Sequence, residues 1–321
     1  MVRVQAVTAA GIVAGYVADV VVGDPRHGHP VALFGTAAGA VERRMWADSR
    51  LRGAAYAGAC VGAATAAGAL LQRATRRRPL ARFVSTAAAT WTVLGGTGLA
   101  REGEAMTRHL AAGDLPAART RLGHLCGRDA TGLDETGLAR AATESIAENT
   151  SDAVVAPLVW GGLAGIPGLL GYRALNTLDA MVGHRNARYE RFGWAAARGD
   201  DIANLVPSRL SALAAAAVGG RPRQALRAWR RDAHRHPSPN AGPVEAAFAG
   251  ALGVRLGGTN VYGGAVEDRG TLGDGPPPRV SDLDRAVRLS RAVGLVSLGV
   301  AAMAAVRPRR GKVSPRGSSS T

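Results

Sequence analysis

The chain has 321 residues, with 40 lysines and arginines against 24 acids and a formal net charge of +16. Apolar residues are 47% of it but aromatics only 4%. That texture is poor in the bulky side chains that fill a large soluble core, and rich in the Ala and Gly that let helices pack closely in lipid. Nucleic-acid binding is excluded, because no groove-reading motif or aromatic-interleaved basic stripe accompanies the charge. Lys312 is the only lysine, and the arginines read as membrane-flanking loops. A mean hydropathy of +0.02 fits short spans joined by long polar loops. Cys60 and Cys126 are too few and too far apart for a disulfide framework or a cysteine-type zinc site.

In chain order, the first apolar window is Val4 to Val22. Arg3 alone makes a weak n-region and Asp19 interrupts the run, so the window predicts an uncleaved span rather than a signal peptide. GDPRHGHPV (Gly23 to Val31) follows as a tight turn displaying Asp24 and His29. The pairs His27–His29 and His234–His236 lack a third ligand at zinc spacing. Further windows lie at Ala54 to Leu71, Phe83 to Ala100 and Ala153 to Leu170, with weaker ones at Ile202 to Val218 and Leu289 to Val306.

The arginine-rich, acid-free stretches Gln72 to Arg82 and the tail after Val306 both belong in the cytoplasm, which predicts six spans with both termini inside. No β-strand alternation of any length appears. The expected class is an all-α, polytopic integral membrane protein with about five or six transmembrane helices, lodged in the cell membrane. Residues 1–306 form one domain, followed by a basic, disordered tail at 307–321. Between the windows, Arg101 to Asp152 reads as amphipathic helices broken at Gly113–Asp114, and GDGPPP at 273–278 as a turn.

The chemistry concentrates around the fourth window. ESIAENTSD (Glu144 to Asp152) runs straight into eighteen uncharged residues, Ala153 to Leu170. At about 100° per residue, Glu148 lies roughly 40° and Asp152 roughly 80° from Glu144, so three carboxylates share one helix face with Asn149 beside them. Like charges so close imply a cation among them: Mg²⁺, an arginine or a cationic substrate. Arg173, Asn176 and Asp179 then recur every three residues as a polar stripe. Asp200, Asp201 and Asn204 add a second acidic set ahead of Pro207 and Arg209. HPSPNAGPVEAA (His236 to Ala247) sets Ser238, Asn240 and Glu245 around two prolines and delivers a helix N-terminus, a natural anion site. LGGTNVYGG (Leu256 to Gly264) is glycine-rich, but no GxxxxGK[ST] occurs, so a Walker-type nucleotide site is excluded.

These blocks in this order resemble the CobD/CbiB family of cobalamin-biosynthesis membrane proteins, the adenosylcobinamide-phosphate synthases. The likeness runs over roughly residues 10 to 305, through GDPRHGHPV, Gly127 to Asp129, ESIAENTSDAVVAPL, Tyr172 to Ala212 and SPNAGPVEAAFAGALGVRLGGTNVYGG. The resemblance implies an ATP-dependent ligase that joins the f-propionate carboxylate of adenosylcobyric acid to aminopropanol, or to its O-phosphate, as an amide. It implies a membrane complex with other late enzymes of the pathway as well. Matched by position are Asp24, His29, Glu144, Glu148, Asn149, Asp152, Asn176, Asp179, Asp201, Asn204, Arg209, Ser238, Asn240, Glu245, Asn260 and Tyr262. For such chemistry, Glu148, Asp152 and Asp179, with Glu144, are the expected Mg²⁺ ligands. Arg173 and Arg209 are the expected phosphate clamps, and Asp24 or His29 the amine's base. A transporter would use the same carboxylates but should show inverted repeats, and none is visible. A non-catalytic branch of the family, tied to β-lactamase regulation, is disfavoured because every polar block is retained.

Overall fold

The computed structural model describes residues 2–24, 29–184, 186–262 and 265–306, without the side chains of 2–3 and 260–267. His27, the tail at 307–321 and the side chains of Asn260 and Tyr262 therefore lie outside the described residues.

Small residues decide how the long helices meet. Helix α1 (Val2–Val22) packs along α4 (Pro79–Val93) through Gly11 and Gly15, where an added Cβ would press into Thr86 and Thr90. A glycine repeated at four-residue spacing lets two backbones approach to this depth. Helix α2 (Pro30–Met45) occupies what reads in sequence as part of a loop. Helix α3 (Arg50–Ala74) lies against α9 (Ile166–Val182), with Gly68 on Pro167 and Gly171 on Thr65. The last helix, α14 (Val280–Val306), packs against α1, α5 (Gly96–Ala111), α7 (Glu135–Thr150) and α8 (Ala156–Ala164). By length and composition α1, α3 and α14 can each cross a membrane. The class is the all-α membrane protein expected.

Two of the four stronger expected spans are not single helices. Phe83 to Ala100 breaks at Leu94–Gly95, between α4 and α5. Ala153 to Leu170 begins in a π-helical turn at Ser151–Val155, continues as α8, and reverses at Gly165, where φ is +73°. A Cβ at Gly168 would overlap the Trp160 carbonyl, and one at Gly161 would meet Leu169, so α8 and α9 form a tight helical hairpin. Hydropathy registers eighteen apolar residues but not the left-handed glycine that turns the chain back. The six-span scheme, which set Asp152 and Asp179 on opposite sides of the bilayer, is corrected by this hairpin. Both residues line one cavity.

The polar segments fold much as their punctuation suggests. Helix α6 (Leu115–Leu122) restarts after the break at Gly113, with the Asp114 carboxylate accepting from the Ala117 N–H at 3.1 Å. Helices α10 (Trp194–Ala203), α11 (Leu205–Val218) and α12 (Pro222–Asp232) lead to α13 (Ala241–Leu252). Every residue of α13 is buried, as a helix apolar on every side but for Glu245 requires. The absence of strands is also corrected. Leu256–Tyr262 and Ala265–Leu272 pair antiparallel as a hairpin, β1–β2. Its register shifts between Gly257 and Thr259, and Gly257 and Gly258 have φ of +80° and +84°. Glycines in left-handed backbone make the bulge and erase the apolar alternation that would have marked a strand.

Gly53 of α3 sits so close to the Phe192 backbone that a Cβ would overlap that carbonyl. Gly53→Ala is therefore expected to cost about 2 kcal/mol or more, since the neighbour is backbone and has no rotamer to yield. A lowered thermal unfolding midpoint of the detergent-purified variant is the check.

Candidate active site

Four chain segments deliver carboxylates to one cavity of about 90 Å³. Glu148 comes from the end of α7, Asp152 from the π turn, Asp179 from the returning end of α9, and Asp200 and Asp201 from α10. Ser151, Asn204, Ser238 and Asn240 add polar lining, and Ala241 and Val244 close it. The sequence clusters, up to 92 residues apart between Glu148 and Asn240, are thus one site.

Pro157 sets the position of Asp152. Proline has no N–H to offer the carbonyls one turn back, and the Ala156 N–H reaches five residues back to Ser151. The Asp152 carbonyl lies 3.2 Å from the Tyr172 hydroxyl, and the Ala153 carbonyl accepts from the Gly95 N–H at 3.1 Å. Single π turns of this kind recur at functional sites because they re-aim a side chain within a helix.

Amides frame the acids. The Tyr172 hydroxyl donates to Asn204 Oδ1 at 2.9 Å, and Asn204 Nδ2 donates to Asp200 Oδ2 at 2.9 Å. Asn176 Nδ2 donates to Asp200 Oδ1 at 3.3 Å. Asn240 Nδ2 donates to the Asp201 carbonyl at 2.7 Å, while its Oδ1 accepts from Ser208 at 3.1 Å and from Arg209 Nη1 at 2.9 Å. The Ser238 hydroxyl accepts from the Asn240 and Ala241 N–H groups, capping α13. Burial, and Asp179 nearby, push the Asp200 carboxyl up to about 7 against the pull of its two amide donors. Tyr172 and Ser208 are the framing residues that sequence reasoning missed. Their only signal is helical spacing, Ser208 four residues beyond Asn204.

Glu144, expected beside Glu148 and Asp152, does not line this cavity. It is buried in an ion pair with Arg128 at 2.6 Å and accepts from the Gly257 N–H at 2.7 Å, so it anchors the β hairpin to α7. Glu144 and Glu148 are one regular turn of α7 apart, so the face divides because Arg128 and the Gly257 N–H claim the Glu144 carboxylate. Glu245 is fully buried, 3.5 Å from His236 Nε2 and 3.8 Å from Arg269 Nη1. Burial, with Glu144 and Glu148 close by, pushes its carboxyl well above the ordinary range, and burial and Arg269 push His236 down to about 4. Asn149 donates to the Ser145 carbonyl at 2.9 Å on α7 itself.

Arg173 stands apart from the acid cavity, lining a neighbouring 170 Å³ pocket with Pro30 and Thr177, and its Nη1 reaches Asn176 Oδ1 only at 3.5 Å. Its guanidinium lies within electrostatic reach of both Asp24 and Asp152. His29 is the N-cap of α2, its Nδ1 accepting from the Val31 N–H at 3.2 Å.

A family model described as CobD/Cbib protein matches residues 12–290. The chain belongs to the CobD/Cbib family. A cobalamin biosynthesis protein CobD of Mycobacterium tuberculosis is 55% identical over 306 residues, covering 94% of this chain and 97% of that protein. The proteins of that name from Geobacter metallireducens and Chromobacterium violaceum are 45% and 44% identical, over 80% and 84% of this chain and 83% and 88% of their own lengths. No solved structure matches.

Among the described residues of this CobD/Cbib chain, no three His, Cys, Asp or Glu side chains converge as a ready-made metal site. The cavity's all-oxygen donor set nonetheless suits a hard cation that keeps most of its water, as Mg²⁺ does when it takes one or two carboxylates and leaves the rest to water and phosphate.

The position of Asp200 fixes a pH dependence. Its native carboxyl titrates near 7 against an ordinary value of 3.8, so between those values the folded state holds a proton that the unfolded chain releases. The resulting stabilisation is fully present below about pH 3.8 and is lost as pH rises through 7. The unfolding midpoint of the purified protein should fall from pH 5 to pH 8, and Asp200→Asn should flatten that slope.

Proposed function

We propose that this chain acts in cobalamin biosynthesis as an amide ligase of the cell membrane, joining the f-propionate carboxylate of adenosylcobyric acid to aminopropanol or its O-phosphate. The observation that carries the reading is the convergence of five carboxylates from four segments into one amide-framed cavity, in a chain whose relatives are named for cobalamin biosynthesis.

Joining a carboxylate to an amine requires removal of a carboxylate oxygen, and ATP supplies that activation when bound. Glu148, Asp152 and Asp179 are the groups that would hold Mg²⁺, which offsets phosphate charge in such chemistry. Arg209 is fixed by Asn240 and Ser208 at the edge of the site, where a guanidinium can take phosphate oxygens. The attacking amine must shed a proton as the C–N bond forms. Asp200 suits that task, because a base works best when its pKa lies near the operating pH. His29 suits it less, since its Nδ1 is committed to a helix cap. Glu144 and Arg128 hold the β hairpin beside the site, and Glu245 with His236 supports it from behind.

Two outcomes test the reading. Glu148→Gln and Asp152→Asn each keep size and hydrogen-bonding capacity but delete a charge. Each is expected to lower amide formation about a hundredfold or more while membrane insertion is unchanged. If the acids only solvate helix ends, the change should stay within about 0.5 kcal/mol. Independently, a cobalamin-producing strain lacking the protein should accumulate cobyric acid and recover when given cobinamide. Failure of cobinamide to rescue would place the lesion at a later step.

A further inference from the structure

The 170 Å³ pocket that Arg173 lines is walled by four helices. Pro30, Val31 and Phe34 of α2, Ala64 of α3, Val93 of α4 and Leu170 of α9 make its apolar surface. Among the described residues no acid lines it, and the Arg173 guanidinium is its one charge. The two hydroxyls in the wall are already committed, Thr177 to the Arg173 carbonyl at 2.7 Å and Thr92 to the Ala89 carbonyl at 3.1 Å.

Arg173 itself is only partly satisfied. Its Nη1 reaches Asn176 Oδ1 at 3.5 Å, and its Nε is buried with no hydrogen-bond partner among the described residues. A buried donor without an acceptor is costly, and a guanidinium edge is shaped to receive a carboxylate through two parallel N–H···O bonds. Asn176 links this guanidinium to the acid cavity, since its Nδ2 donates to Asp200 Oδ1 at 3.3 Å.

We infer that this pocket seats the carboxylate arm of the corrinoid substrate, the group to be made into an amide, on the Nε edge of Arg173. The inference rests on the ligase reading and gives Arg173 a carboxylate in place of the phosphate expected of it. Three features favour the carboxylate. Clefts that hold whole drug-sized ligands start at roughly 300 Å³, so 170 Å³ admits a side arm and leaves the ring system outside. The apolar walls suit the methylenes of a propionate, and would strip water from a phosphate without replacing it. One guanidinium matches one carboxylate charge, whereas a phosphate monoester carries about −1.5 to −2. Asn176 then stands between the seated carboxylate and Asp200, the group assigned to take the amine's proton.

The test uses the full-length protein in detergent with cobyric acid and with its f-methyl ester, which keeps the ring and the arm but removes the charge. Equilibrium dialysis read by corrinoid absorbance gives both affinities, and Mg-ATP binding is measured alongside. Wild type is expected to prefer the acid about tenfold or more, the worth of one charged hydrogen-bonded pair. Arg173→Gln should lose that preference while binding the ester and Mg-ATP as wild type does. Arg173→Lys keeps the charge but not the two-pronged edge, and should weaken binding of the acid alone; it decides the matter if the glutamine variant fails to fold. Equal wild-type affinity for acid and ester overturns the inference, as does a preference undiminished in the variants. Loss of Mg-ATP affinity with the preference intact overturns it too, by returning Arg173 to a phosphate. In each of these cases amide formation by wild type leaves the ligase reading standing, whereas neither amide formation nor corrinoid binding removes both.

Discussion

A proline inside a buried helical run leaves carbonyls that nothing in the helix can satisfy, and this constraint at Pro157 organises the molecule. In apolar surroundings each unmet backbone group costs several kcal/mol, so donors must come from elsewhere. They are the Tyr172 hydroxyl, whose one proton is shared between the Asp152 carbonyl and Asn204 Oδ1, and the Gly95 N–H for Ala153. The first ties the π turn to α9 and, through Asn204, to the α10–α11 junction. The second explains why the third apolar window breaks where it does. Two irregularities, at residues 94–95 and 151–157, satisfy one another, and the acids take their places around that bond.

Glycine carries the architecture that large side chains carry in soluble cores. Without a strong hydrophobic drive between helices in lipid, close backbone approach supplies the packing. Gly11 and Gly15 join α1 to α4, Gly68 and Gly171 join α3 to α9, and Gly53 meets the Phe192 carbonyl. The hairpin of α8 and α9 depends on the same device, with Gly165 in a backbone region closed to side chains and Gly168 against Trp160.

The composition made the all-α membrane class legible, and polar residues crowded against an apolar run marked Glu148, Asp152 and Asp179. The cavity then joined these to Asp201, Asn204, Ser238 and Asn240 as the sequence clusters suggested. Hydropathy windows could not register the reversal at Gly165, because they count apolar residues and are blind to backbone handedness. Helical geometry placed Glu144 with its neighbours because it gives the face a residue stands on but not the partners that claim its carboxylate, here Arg128 and the Gly257 N–H. Strand periodicity failed at Leu256–Leu272, where glycines occupy the positions that would have alternated. Tyr172 and Ser208 escaped notice because their only signal is a four-residue spacing from Asn176 and Asn204, which any helical hydroxyl can have by chance.

The side chains that hold the acids in place are almost all uncharged: Asn176, Asn204, Asn240, Tyr172 and Ser208. None of the amides or hydroxyls gains or loses a proton in the range where Asp200 does. The cavity therefore behaves as a rigid mould with an adjustable electrical setting. A substrate arriving with its own charge can change how many acids are ionised without loosening the walls that position it.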